Sequence, residues 1–247
     1  MKLTLNALAF LPSLLTLAFA PSSLVGEVNV NVKTFVKNTV TELPGSRSTS
    51  AGSGLYFNWN LQFSGLSQDA FEQGIKGYNY LLQHNDIKKS NLFTIIDYSR
   101  PSTKKRLFVL NMESGEIVFN TLVAHGQNSG FNYATQFSNE TESHKTSLGF
   151  YITLETYTGT NGYSLKLKGC EKGINDKAYE RAIVLHGADY VSETFIQNKG
   201  YLGRSYGCPA LPLTLHKKII DKIKNGSCVF LYHPTKKYST RSKILDS

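Results

Sequence analysis

The segment from Arg181 to Pro212, RAIVLHGADYVSETFIQNKGYLGRSYGCPALP, places a histidine and a cysteine in settings that suit nucleophilic chemistry. A thiol attacks well only once a base has taken its proton, and acyl transfer also needs backbone N–H donors aimed at the developing oxyanion. Cys208 would be the nucleophile and His186 the base. Between Gly203 and Pro209 the glycines allow left-handed backbone and close approach, so the N–H groups of Tyr206, Gly207 and Cys208 can converge on one point, with Ser205 and Gly187 as positioning residues. A plainer reading fits the same residues: buried cysteines often pack as small hydrophobes, and a strand-end histidine is often a satisfied core residue.

The elements that would hold these groups are mostly strands. Ala182 to Leu185 is a short apolar run that stops at Gly187, which predicts a buried strand with His186 at its end. Upstream, LFTIIDYS, KRLFVLNM and GEIVFNTLVAH, separated by turn-like tetrapeptides, predict consecutive hairpins. The third run ends in a second His-Gly pair, His125-Gly126, followed by a loop read as flexible, QNSGFNYATQFSNETESHKTS. His125 either lines the same cleft as His186 and contacts substrate, or is structural. LGFYITLETY and YSLKLKG form a further strand pair around an Asn161-Gly162 turn, and SCVFLYH is a closing strand. Two helices are expected. Phe71, Ile75, Tyr78 and Leu82 share one face of the first, with Ser67 as N-cap and a Leu66–Phe71 staple despite Gly74 and Gly77. Leu215, Ile219, Ile220 and Ile223 share a face of the second, which is capped by Thr214 and stopped by Asn225-Gly226. The fold class is mainly β with a few helices, a mixed β-sandwich or barrel-like sheet of α+β type.

At 247 residues with 40% hydrophobic content, the chain can bury a sizeable core. Met1 to Ala20 carries Lys2, an apolar run and a small-x-small end, the pattern of a secretory signal peptide, so residues 1–20 are read as cleaved and the protein as exported. Residues 21–65 read as an N-terminal segment and exposed linker, 66–234 as the catalytic domain and 235–247 as a polar tail. No other run is apolar enough to span a bilayer. The formal net charge of +9 favours anionic partners, and carboxylate-bearing surfaces meet that need as well as nucleic acid does. Nucleic acid is disfavoured, because the basic residues are scattered and no recognition motif accompanies them. Of three cysteines, Cys208 is expected free, while Cys170 and Cys228 are candidates for a bridge in an oxidising compartment. A zinc hydrolase built on His186, Asp189, His125 or Cys208 lacks the paired ligand spacing of HExxH or CxxC, so neither metal nor cofactor is expected.

His186-Gly187 followed by Ser205-Tyr206-Gly207-Cys208 resembles the HG and SxGC signature of the murein L,D-transpeptidases, and GRSYGCPALP is similar to a branch found in Gram-negative bacteria. LVAHGQNSG, TSLGFYIT, YSLKLKG and GINDKAYERAIVLHGADYVSE extend the resemblance over roughly Asn91 to Pro234. It implies a β-rich sandwich with Cys208 and His186 on its rim, the histidine oriented by a backbone carbonyl from the Gly203–Ser205 region. It further implies a thioester acyl-enzyme on peptidoglycan tetrapeptide stems, resolved by a second stem to give 3-3 crosslinks in the periplasm. Water as acceptor would make an L,D-carboxypeptidase, and a lysine of an outer-membrane lipoprotein an anchoring enzyme; an idle wall-binding domain is the non-catalytic alternative. One position departs from the broader pattern. Ala210 stands where an arginine commonly follows the cysteine, and Arg204 is the candidate to bind the substrate carboxylate instead.

Overall fold

The computed structural model describes residues 51–246; the signal peptide and most of the N-terminal segment read from the sequence lie outside them. Eight strands form one sheet in the order β3-β2-β1-β8-β4-β5-β6-β7. The first three, β1 (Leu92–Asp97), β2 (Leu107–Asn111) and β3 (Ile117–Thr121), are the expected meander. β4 (Gly149–Gly159) and β5 (Gly162–Gly169) are the expected hairpin, with Gly162 supplying the positive φ of its turn. The closing strand β8 (Cys228–Tyr232) enters the middle of the sheet, parallel to β1 and antiparallel to β4, and all five of its residues are buried. Beyond β5 follow β6 (Val184–Ala188) and β7 (Ala210–Pro212), a parallel pair.

The two outer strands are then joined. The chain leaving β3 bridges Ala124 to Ala210 and Gly126 to Ser205, with Ala124 N–H donating to Ala210 O at 2.9 Å. This closure makes the sheet barrel-like and removes an unpaired edge. It is supported from inside by Arg106, a buried cation that donates to Val123 O through Nε (3.1 Å) and Nη2 (2.9 Å) and lies over the Tyr98 ring.

Helix α2 (Gln68–Gln83) follows its pattern, and the Ser67 side chain accepts the Ala70 N–H as N-cap. Its two glycines have a packing cause. A Cβ on Gly77 would fall 2.0 Å from the Phe150 ring and one on Gly74 3.1 Å from Phe93, so both let the helix sit directly on the aromatic floor of β4 and β1. Phe150 stacks on Phe230 at 4.1 Å, at the centre of this core. Helix α1 (Ala51–Asn58) precedes α2 and differs from expectation, because Ala51 to Gly54 had read as exposed linker. Tyr56 donates to Leu66 O at 2.7 Å and its ring meets Phe71, so burial of two aromatic side chains outweighs the glycine content.

On β6, Ala182 takes a left-handed φ of 51°, so the strand starts two residues later than the apolar run and His186 lies mid-strand rather than at its end. Helix α3 (Glu193–Lys199) crosses between β6 and β7. Helix α4 (His216–Ile223) buries His216, Ile219, Ile220 and Ile223, but its N-cap is Leu215, without a side-chain cap, not Thr214. The polar sequence after Pro234 is docked as well as polar. Helix α5 (Lys236–Ser239) buries Tyr238, whose hydroxyl donates to Glu171 Oε2 at 3.1 Å, and Ser242 donates to the other oxygen of the same carboxylate.

Candidate active site

The register of the parallel pair β6/β7 sets His186 opposite Ala210. Cys208 lies two residues before Ala210, so the register carried back sets it beside Val184, and the Val184 N–H does point at the Cys208 sulfur at 3.4 Å. Cysteine and histidine are thus diagonal neighbours on adjacent chain segments, a separation of about 7–8 Å between α-carbons that side chains can bridge. In this conformation they are not hydrogen-bonded to each other. The thiol donates instead to Ala182 O at 3.7 Å. Burial pushes the thiol pKa up, opposed by the Val184 N–H and by the nearby charge of Arg181, so the resting sulfur is protonated.

His186 is buried, and burial lowers its pKa, so it is a neutral imidazole at pH 7. Nδ1 lies 3.0 Å from Gly187 O. A carbonyl only accepts, so Nδ1 carries the hydrogen and Nε2 keeps its lone pair, the tautomer a general base requires. The orienting carbonyl is therefore that of the next residue and not one from Gly203–Ser205. Gly187 has a second cause: a Cβ there would fall 2.6 Å from the His216 ring, which packs against β6 from α4.

The turn before Cys208 is fixed by Ser205, whose hydroxyl donates to Cys208 O at 2.6 Å and accepts the Gly207 N–H at 3.1 Å. Ser205 N–H in turn donates to His125 O, and Ser205 O accepts from Gln127. Gly207, at φ +122°, donates its N–H internally, which takes it out of the expected oxyanion set. The N–H groups of Tyr206 and Cys208 meet no backbone acceptor among the described residues. Tyr206 itself is 70% exposed and lies against His144, with ring centroids 4.5 Å apart.

The two residues expected to touch substrate are both engaged elsewhere. His125 is 1% exposed; its Nδ1 accepts from Arg106 Nη2 at 2.7 Å and its Nε2 donates to Gly130 O at 3.2 Å, leaving no ring nitrogen for a ligand. Burial, then the Arg106 charge, pushes its pKa down to about 3. Arg204 stacks over Phe131 at 4.4 Å and Tyr201 at 5.3 Å and donates to Gly130 O at 3.2 Å, fastening the loop after His125. That loop had read as flexible, yet Asn128, Ser138 and Thr146 N–H groups all find acceptors within it.

Periodicity gave no sign of Arg181 and Thr146. Arg181 donates to Ser138 O (3.0 Å), Lys145 O (2.8 Å), Ser147 Oγ (2.5 Å) and Ser143 Oγ (3.3 Å), and its Nη2 lies 3.4 Å from where a Gly207 Cβ would be. Thr146 accepts the Gly126 N–H at 3.0 Å and donates to Gly207 O at 3.2 Å, tying the second His-Gly pair to the cysteine turn. Both lie inside the motif-bearing segments, but only the tertiary fold brings them to Cys208. Position 210 has no room for an arginine on this backbone, since Ala210 is fully buried against Leu122, Ala124, Ala188 and Leu202.

Cys170 and Cys228 are both free. Cys228 pairs with Ile152 of β4, and Cys170 N–H donates to Phe150 O on the other side of the same strand. One strand therefore separates them, about 10 Å at the usual spacing, beyond the reach of a disulfide. Among the described residues no cluster of His, Cys, Asp and Glu could hold a metal ion, and no helix is long and apolar enough to cross a membrane.

A search of curated proteins finds no match. Solved structures that a search returns as similar include L,D-transpeptidases from Mycobacterium smegmatis (12% identity, TM-score 0.36, covering 58% of this chain and 59% of that one) and Mycobacterium tuberculosis H37Rv (12%, 0.37, 58% and 58%). One from Xylanimonas cellulosilytica is 16% identical, with a TM-score of 0.34 and coverage of 62% and 68%. The chain thus spans about three-fifths of the length of the first two. The profile of the L,D-transpeptidase catalytic domain matches residues 62–232, a span that contains Cys208, His186, Arg181 and the turn around them, and the chain belongs to that family.

Proposed function

We propose that the protein is an exported peptidoglycan L,D-transpeptidase working through a Cys208 thioester. The observation that carries the reading is the β6/β7 register, which seats Cys208 diagonal to a neutral His186 whose Nδ1–H is already committed to Gly187 O. Rotation of the thiol from Ala182 O toward His186 Nε2 starts the reaction. The thiol proton passes to Nε2 as sulfur attacks the carbonyl that joins the L-centre of diaminopimelate to the terminal D-alanine of a tetrapeptide stem. The C–N bond breaks, D-alanine leaves with the proton from His186, and a thioester remains. The amine of a second stem then attacks the thioester, giving a 3-3 crosslink and the free thiol. Tyr206 and Cys208 N–H groups receive the oxyanion, and Arg181 supplies positive charge beside the sulfur, in the place of the arginine that Ala210 excludes. Export to the periplasm follows from the substrate and from the signal-like residues 1–20.

The test is muropeptide analysis with the wild type beside Cys208→Ala and His186→Ala, together with the intact mass of the protein after a carbapenem. The wild type forms 3-3 dimers and a single adduct on Cys208; both variants lose the dimers while remaining folded. Full activity in Cys208→Ala would refute the proposal.

A further inference from the structure

A hollow of about 440 Å³ has walls from the 135–148 loop, from Gly173-Ile174 and from the C-terminal segment Thr235–Arg241. That volume falls in the range of small-ligand sites, about 300–1,000 Å³. Three cations line it, each from a different position: Lys145 on the loop, and Lys237 and Arg241 on the C-terminal segment. Among the described residues none of them has a carboxylate within ion-pair distance. Among the described residues the three ion pairs are Lys166–Glu155, Lys177–Glu140 and Lys224–Asp221, so the one acidic residue on the wall, Glu140, is answered by Lys177 outside it. Lys145 Nζ donates to Gln136 Oε1 at 2.8 Å and Arg241 Nη2 to Gly173 O at 3.0 Å; both are neutral acceptors that leave the charge uncompensated. Neutral polar groups of Thr135, Gln136 and Ser138 share the wall with apolar Phe137, Leu148 and Ile174.

The C-terminal wall is held in place. The Glu171 carboxylate accepts from Tyr238 and Ser242 and from the Phe150 N–H at 2.8 Å, which anchors the segment carrying Lys237 and Arg241 to β4. The hollow is also coupled to the active site through one residue. Lys145 lines the hollow, where its Nζ meets Gln136, while its carbonyl accepts from Arg181 and lies 3.0 Å from the position of a Gly207 Cβ. Three like charges on a preformed concave wall repel one another when the site is empty, and an anionic ligand relieves that repulsion.

We infer that this hollow is a carboxylate subsite that takes the acidic end of the second, amine-donating stem peptide. The inference rests on the transpeptidase reading for the identity of the ligand, and on the uncompensated cations for its charge. Free stem peptides are carboxylate-rich, and the shared Lys145 places one wall of the hollow next to the turn where the thioester would form. Acceptor selection then depends on charge at the C-terminal segment, remote in sequence from Cys208.

The test uses the Cys208→Ala protein and the tripeptide L-Ala-γ-D-Glu-meso-diaminopimelate, titrated calorimetrically at low and high salt. Binding is expected, weakened at least tenfold by Lys237→Glu/Arg241→Glu and weakened by salt. Lys237→Glu alone guards against misfolding, since its ammonium makes no hydrogen bond among the described residues, and it is expected to weaken binding in the same direction. In the protein with Cys208 intact, the double reversal is expected to leave carbapenem acylation unchanged. Tripeptide binding that is absent at millimolar concentration, or indifferent to both reversals, overturns the subsite. If wild-type Cys208 never acylates yet the tripeptide binds and responds to reversal, the transpeptidase reading fails and the subsite stands.

Discussion

Acidification should loosen the fold through His125 before it touches the carboxylates. The imidazole is buried between Arg106 and Gly130 O, and its pKa sits at about 3 against about 6.5 in the unfolded chain. Between those values the unfolded state binds a proton that the native state refuses, so stability falls as pH falls. The slope for one such group is about 1.4 kcal/mol per pH unit, which amounts to about 2 kcal/mol between pH 6.5 and pH 5. His186 and His233, both lowered by burial, act with the same sign. Glu171 acts with the opposite sign, because burial raises its pKa and its protonation favours the fold as pH falls through that raised value; it contributes equally to the wild type and to a His125 variant, so a comparison of the two isolates the imidazole. The assay is urea unfolding at pH 7, 6 and 5, for the wild type and for His125→Gln, whose amide keeps an acceptor for Arg106 and a donor for Gly130 O. The variant should be less stable at pH 7 but lose about 2 kcal/mol less between pH 7 and pH 5. Parallel stability–pH profiles for the two proteins would refute the reasoning, because they would mean that His125 is not the group being forced to ionise. Since His125 O accepts the Ser205 N–H, the same protonation should slacken the turn that presents Cys208.

Two further perturbations probe that turn directly. Ser205→Ala removes the hydrogen bond to Cys208 O and the acceptor of Gly207 N–H, each worth about 1 kcal/mol, so carbapenem acylation of Cys208 should slow by about 30-fold if both are needed in the transition state; a rate within twofold of wild type would show that the turn holds without them. Arg181→Met removes the positive charge that favours the thiolate, so the pH profile of Cys208 alkylation by iodoacetamide should move to higher pH, and an unmoved profile would remove Arg181 from the electrostatics of the site.

Short-range signals carried much of the architecture. The Ser67 cap, the Phe71-Ile75-Tyr78 stripe and the Asn161-Gly162 turn each depend on residues within a few positions of one another, and each is realised as α2 or the β4–β5 hairpin. The insertion of β8 between β1 and β4 is not of that kind. Nothing local in SCVFLYH distinguishes a central strand from an edge strand, and its partners lie more than 70 residues away. The site divides the same way. That Cys208 and His186 share a neighbourhood was legible as a motif, but which carbonyl orients the imidazole depends on the Gly187 backbone, and which N–H groups stay free depends on where the Ser205 hydroxyl turns.

The two His-Gly pairs show how one sequence pattern serves two physical ends. Both histidines are buried and both are held neutral at pH 7, yet only one keeps a ring nitrogen free. His125 spends Nδ1 on a buried guanidinium and Nε2 on a carbonyl, so it is a strut that closes the sheet against Ser205. His186 spends only Nδ1, on Gly187 O. Its strand pairs with the segment that delivers the thiol, whereas His125 lies on the closure from β3. A guanidinium beside His186 would raise the cost of the imidazolium that must form during acyl transfer, by the repulsion that adds to burial in keeping His125 neutral. Arg181 avoids that conflict, because its guanidinium is tied to the carbonyls of Ser138 and Lys145 and meets the cysteine turn on the Gly207 side, where its charge favours the thiolate.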